Sequence, residues 1–162
     1  MTRRFGDVCS NRPLTLPPRG FTMVEILLVM VLVGVLLAIA LPLYERFIEK
    51  ARVTESVVQI GTIATRIQEY QAANGALPAD LTPLQNIPTI DPWGRAYMYV
   101  IITSPGVARR DKKTVPINSQ YDLFSVGRDG LTHNSLGNDA SRDDVIRARD
   151  GRFIGLAEEF DP

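Results

Sequence analysis

Between Phe21 and Leu43 the chain is a run of apolar residues whose only ionisable side chain is Glu25. As a helix rising about 1.5 Å per residue, this stretch is long enough to cross a hydrocarbon core of about 30 Å. It therefore reads as a membrane anchor, and the rest of the chain must be arranged around it. A charge in such a span costs about 3 kcal/mol even on lenient insertion scales, so Glu25 calls for a compensating partner. The span itself supplies no cation.

The residues ahead of the span carry Arg3, Arg4, Arg12 and Arg19 against Asp7 alone. That bias places the N-terminus in the cytoplasm and the bulk of the chain on the far side of a single-pass membrane helix. A secretory signal would put a small-residue cleavage site after the apolar stretch. Here Gly20 follows the basic leader and precedes the apolar stretch.

The run Gly20-Phe21-Thr22-Met23-Val24-Glu25 resembles the prepilin peptidase signature of type IV pilins and type II secretion pseudopilins. The resemblance implies cleavage between Gly20 and Phe21, N-methylation of Phe21, and pairing of Glu25 with the N-terminal ammonium of a neighbouring subunit. Physical chemistry agrees: a buried ion pair offsets its desolvation only when both charges are present, so Glu25 favours assembly over the isolated subunit. Pro42 fits the kinked first helix of that family.

Residues 1–20 as a cytoplasmic leader would take four arginines and one aspartate from totals of 18 basic and 18 acidic residues, leaving 14 and 17. Cys9, the only cysteine, lies in that leader. The exported part, residues 44–162, then forms one domain of about 115 residues with no disulfide available. At that size a modest core benefits from another staple. Neither charge nor composition points to nucleic acid as a partner.

Past the anchor, Val53, Val57, Ile60, Ala64, Ile67 and Tyr70 recur at steps of four and three, with Arg52, Glu55, Gln59, Arg66 and Gln68 elsewhere around the helix. This is an amphipathic continuation over 44–74, its apolar stripe a packing face for the rest of the domain. Asn74-Gly75 supplies a stop and Pro78 forbids resumption, so one helix runs from Phe21 to about Asn74, roughly 80 Å of it. A Pro-rich connector follows, with Pro78, Pro83 and Pro88. Asp91-Pro92-Trp93-Gly94 then reads as a turn and 96–102 as a strand. Residues 121–126 read as a second strand, paired antiparallel to the first. The basic run Arg109-Arg110-Asp111-Lys112-Lys113 between them reads as a solvated loop tip.

Asp91-Pro92-Trp93-Gly94 with Tyr97 and Tyr99 resembles a motif that precedes the first strand in major pseudopilins of type II secretion systems. The C-terminal stretch from Tyr121 through Gly130, with Ser141 through Ile146, resembles their calcium-binding loop. Carried over by position, the resemblance implies calcium ligands in the carboxylates of Asp129, Asp143 and Asp144 and the backbone carbonyls of Val126, Leu131 and Ser141. Asp139, Asn134 and Asn138 add oxygens nearby, while Arg128 places a cation beside them. A mixture of carboxylates and carbonyls suits calcium, which takes six to eight oxygens. A true EF-hand starting at Asp139 is excluded, since its sixth position is Asp144 in place of Gly and its twelfth is Asp150 in place of Glu.

Catalysis finds no support. His133 is the only histidine and sits in a polar loop, and no nucleophile triad, phosphate loop or zinc-ligand spacing occurs. The expected fold is α+β and pilin-like, a long N-terminal helix (transmembrane, then amphipathic) packed on a small antiparallel sheet with a loop-rich C-terminal region. By resemblance the chain is a pseudopilus subunit of the bacterial inner membrane and periplasm. Its implied partners are copies of itself in a helical filament, prepilin peptidase, an inner-membrane assembly platform and minor pseudopilins. A type IV pilus subunit or a minor pseudopilin shares the same first helix, and a tethered binding module that never assembles is a third possibility.

Overall fold

In the computed structural model, residues 20–160 are described; the leader assignment, Gly20 apart, and Cys9 lie outside them. The elements in chain order are α1 (Met23–Asn74), β1 (Met98–Ile101), β2 (Tyr121–Ser125), β3 (Val145–Ala148) and β4 (Phe153–Leu156), with 3-10 turns at Asp139–Ser141, Arg149–Gly151 and Ala157–Glu159. The chain divides into two units, Met1–Pro42 and Leu43–Pro162.

In the first unit, the described residues are almost entirely α1. It starts at Met23, two residues past the expected Phe21, with Thr22 preceding the first turn and Glu25 inside it. Every side chain from Phe21 to Leu41 is exposed, so the apolar surface has no cover among the described residues. Pro42 sits inside the helix and lacks the N–H that would meet the Ala38 carbonyl.

In the second unit, α1 ends where Asn74-Gly75 predicts. Gly75 adopts φ 75°, and its N–H donates to the Gln71 carbonyl at 2.8 Å. A residue past the helix end in the left-handed region favours glycine, which has no Cβ to clash. Ser56, Ile60, Ile63, Ala64 and Ile67 are the buried positions of the helix. Burial of the three isoleucines stabilises the fold by about 1.5–3 kcal/mol each. Val53 and Val57 pack at the edge of the same cluster, so the expected stripe is the packing face.

The four strands form one antiparallel sheet in the order β1-β2-β3-β4. The expected pairing of the first two strands is present, with Tyr99 opposite Leu123. The period-2 alternation of strands splits the core in two. Tyr121, Leu123 and Val145 join the helix isoleucines, while Phe124, Ile146 and Ala148 join Ile117, Leu136, Ala157 and Phe160. Strands β3 and β4 are absent from the sequence reading. They cover the second flank of β2, and all five residues of β2 are buried.

The basic run is a correction. Arg109 and Asp111 are buried, with only Arg110, Lys112 and Lys113 left partly or fully in solvent. The Arg109 guanidinium lies 4.0 Å from the Phe124 ring centroid and pairs with Asp144. Asp111 closes a turn, its carboxylate accepting from the N–H groups of Lys113 and Val115 at 2.8 Å each. The segment folds back over the sheet because the arginine finds both a carboxylate and an aromatic face there.

Candidate functional site

Two regions carry the functional expectations, and each is built from its own local sequence. At the start of α1, the Thr22 hydroxyl accepts from the Glu25 N–H at 3.2 Å, and the Glu25 carboxylate reaches back to the Thr22 N–H at 3.5 Å. This reciprocal arrangement is a capping box, legible in the spacing Thr-x-x-Glu, and it meets two of the donors that a helix start leaves open. Gly20 and Phe21 precede it and are exposed, Phe21 by 80%. Within the chain, Glu25 thus satisfies a backbone donor, and among the described residues its carboxylate has no ion pair.

The second region begins at the Asp91 turn. Asp91 is buried, its Oδ1 accepting from the N–H groups of Trp93 (3.1 Å) and Arg95 (2.8 Å) and its Oδ2 from the Ser125 hydroxyl (2.5 Å). Gly94 takes φ 87°, the left-handed position this turn requires. The motif's aromatic side chains then dock on the helix and connector. The Trp93 indole N–H donates to Glu49 at 3.1 Å, the Tyr97 hydroxyl to Gln59 at 2.6 Å, and the Tyr99 hydroxyl to the Pro78 carbonyl at 3.0 Å. Burial pushes the Tyr97 hydroxyl up to about 12. The Trp93 contact is a structural one, fixing the turn to the helix.

Arg95, next in sequence, extends to the C-terminal loop and donates to the carbonyls of Gly127 (2.6 Å) and Arg128 (3.2 Å). It lies so close over Gly130 that a Cβ there would stand 2.6 Å from its Nε. On the other side of the loop, Asp143 packs on Gly127, where a Cβ would meet the Asp143 carbonyl oxygen at 2.3 Å. Both glycines have positive φ, so the loop has two reasons to hold glycine at each position.

The expected calcium ligands are placed as follows. Asp129 is exposed, and its Oδ1 accepts from the Leu131 N–H at 2.7 Å. Asp143 accepts from the Asp129 N–H at 2.9 Å. Asp144 is fully buried, its Oδ2 accepting from Arg109 Nη2 at 2.5 Å and from the Thr132 hydroxyl at 2.7 Å. Burial pushes the Asp144 carboxyl above the ordinary aspartate range, and Arg109 and Thr132 pull it back. The Ser141 carbonyl accepts from the Asp144 N–H at 3.4 Å, and Leu131 is exposed. Val126 is partly buried against the second core cluster.

A calcium shell needs six to eight oxygens at 2.3–2.6 Å with a surplus of negative charge. Among the described residues, no group of three or more His, Cys, Asp or Glu side chains could hold a metal ion. The most buried carboxylate is neutralised by an arginine, and its one unpartnered oxygen, Oδ1, is a single donor. The side chains present do not fit a calcium ion. His133 is exposed as expected, its N–H donating to the Ser141 hydroxyl at 2.9 Å.

The sequence reading missed Thr22 as the cap, and Arg95, Arg109 and Thr132 as the groups that bind the loop. Only Thr22 has a local signal. The two arginines act across 23 to 35 residues of chain.

Comparison with known proteins places these features in context. Residues 18–41 match the family described as the prokaryotic N-terminal methylation motif. The chain is 30% identical to the type II secretion system core protein G of Pseudomonas aeruginosa over 132 residues, covering 68% of this chain and 84% of that protein. It is 33% identical to the type IV major pilin protein PilE1 of Neisseria gonorrhoeae over 145 residues, covering 84% and 87%. It is 25% identical to a fimbrial protein of Neisseria meningitidis serogroup A over 137 residues, covering 82% and 80%. No solved structure gives a significant match.

Proposed function

The chain belongs to the type IV pilin-like family, and on that premise we propose that it is a structural subunit of a type II secretion pseudopilus. In this reading prepilin peptidase cuts after Gly20 and Phe21 becomes the N-methylated first residue. The subunit waits in the inner membrane with its N-terminus in the cytoplasm and residues 44–162 in the periplasm. An assembly platform and minor pseudopilins then take it into a helical filament that drives protein export. It is a building block, not an enzyme.

The observation that carries the assembly reading is Glu25. It is a carboxylate in the first turn of an apolar span whose side chains lie uncovered, and Thr22 is its hydrogen-bond partner. A cut after Gly20 would create an ammonium four residues away along the chain. In a filament, the same group on a neighbouring copy supplies the missing countercharge. Glu25→Ala or Glu25→Val should stay in the membrane and give no filament; normal filaments from either variant would refute assembly through this pair.

The choice of secretion over adhesion, motility or DNA uptake is supported by the Asp91–Gly94 turn, which precedes the first strand as in the major-pseudopilin motif it resembles. The pilin relatives are as similar as the secretion relative, so the pilus is the competing reading. The secreted-protein profile of a strain lacking this chain, restored by the intact gene, separates them. Specific exoproteins retained in the periplasm support the pseudopilus. An unchanged profile with lost surface filaments supports the pilus.

A further inference from the structure

We infer that Arg95 and Arg109 close the C-terminal loop in place of a metal ion, so that residues 127–144 fold, and the chain assembles, independently of calcium.

The argument rests on where the loop's oxygens point. A divalent cation stabilises a loop by gathering backbone carbonyls and carboxylates around one positive centre. In this chain two guanidinium groups gather them. Arg95 reaches in from the Asp91 turn to the carbonyls of Gly127 and Arg128. Arg109 reaches in from the opposite side to the Asp144 carboxylate and to the Thr132 hydroxyl, at 3.0 Å from the latter. Thr132 in turn donates to Asp144, which closes a three-membered ring of contacts around one carboxylate oxygen.

Each arginine is seated for the task. Gly130 leaves the space that the Arg95 guanidinium fills, and Asp91 holds the Arg95 backbone through its N–H. Arg109 is 3% exposed and rests on the Phe124 ring, while the Asp122 carboxylate accepts its backbone N–H at 2.7 Å. The planar fork of a guanidinium suits two oxygens at once, and it carries its charge at any accessible pH. A cation brought to the Asp144 carboxylate would meet the Arg109 charge at contact distance.

The test uses the full chain in detergent micelles, with Trp93 fluorescence and near-ultraviolet circular dichroism followed through thermal unfolding. Calcium is raised to about 10 mM, about 100 times the dissociation constant of the tighter extracellular sites and far above those of intracellular ones. The midpoint should be the same with calcium and with a chelator. A calcium site filled at 100 times its dissociation constant would raise the midpoint by on the order of 10 °C, and a rise of that kind overturns the inference. Limited trypsin digestion supplies the second readout, because Arg128 and Arg142 are exposed within the loop. Arg95→Met should speed cleavage at these two sites by about tenfold or more, as expected for losing a charge-assisted hydrogen bond. The same acceleration should appear with calcium and with chelator. Unchanged cleavage in Arg95→Met overturns the role of Arg95. The calcium melt of the unsubstituted chain decides the metal question even where Arg95→Met fails to fold.

Discussion

Replacing Arg109 by Met should cost more stability than replacing its partner Asp144 by Asn, and the double substitution should cost less than the sum. Arg109 and Asp144 are 3% and 0% exposed and 2.5 Å apart. Taking one member from a buried pair leaves the other charge without compensation, a loss of about 3–5 kcal/mol. Arg109 also accounts for more than Asp144 does. Its charge favours ionised Asp122 as well as Asp144, and its guanidinium covers Phe124. The cation–π contact adds about 1 kcal/mol. Arg109→Met therefore falls at the upper end of that range. Asp144→Asn keeps the shape and a group for Thr132, so it falls at the lower end. In the double variant neither charge of the pair remains, and a coupling of about 1–3 kcal/mol should be recovered. Urea unfolding of the full chain in micelles, read by Trp93, measures this; with a slope near 2 kcal/mol/M, Arg109→Met should lower the midpoint by about 2.5 M. Strict additivity, or a larger loss from Asp144→Asn than from Arg109→Met, would refute the reasoning.

Two further outcomes follow from backbone strain and buried charge. Thr114 sits at φ 67° in a turn with the same hydrogen bonds as the Asp91 turn, where glycine occupies the equivalent place. A β-branched residue is strained there, so Thr114→Gly should stabilise the chain by about 1 kcal/mol, seen as a higher unfolding midpoint; a lower midpoint would count against the strain. Burial is the largest influence on the Asp122 carboxyl and raises it, outweighing the Arg109 N–H and the Asn118 amide that pull it down. Its contribution is then fully present below the unfolded value near 3.8 and is lost as pH rises through the raised folded value. Unfolding curves at a series of pH values should show the unsubstituted chain losing stability relative to Asp122→Asn as pH rises above about 4; a relative gain would reverse the assignment.

The helix was legible from end to end because its signals are local: an apolar span, a stripe at helical spacing, and a glycine where the left-handed stop is needed. The first two strands were legible for the same reason, being rich in aromatic and β-branched residues. β3 and β4 were not read, since each has four residues and Arg147 interrupts the apolar pattern of β3. That arginine is buried against the Tyr121 ring at 4.2 Å, a contact that no local periodicity announces. The Asp150-Gly151 pair between the strands is a hairpin signal that could have revealed them. Arg109 escaped for a related reason. Within a run of five charged residues nothing local separates the one side chain that finds a buried carboxylate from those that stay in water. The loop carboxylates look like a ligand set in sequence, and the arginines that hold the loop, Arg109 through the Asp144 carboxylate and Arg95 through backbone carbonyls, lie far away along the chain.

The strand order 1-2-3-4 means that each strand pairs with its neighbour in the chain, so the sheet needs no crossover. Such a meander can be laid down in the order in which the chain is delivered across a membrane, one hairpin at a time, with little loop-closure entropy per step. The contacts between Arg95 and Gly127 and between Arg109 and Asp144 join residues 32 and 35 positions apart, so they close only after the first hairpin has been delivered, and the second only once the loop beyond it has followed. They work as a latch on the first hairpin, ahead of β3 and β4. A chain cut short before Asp144 would still own its helix, its first hairpin and the Arg95 contacts, but would lack the carboxylate that Arg109 engages.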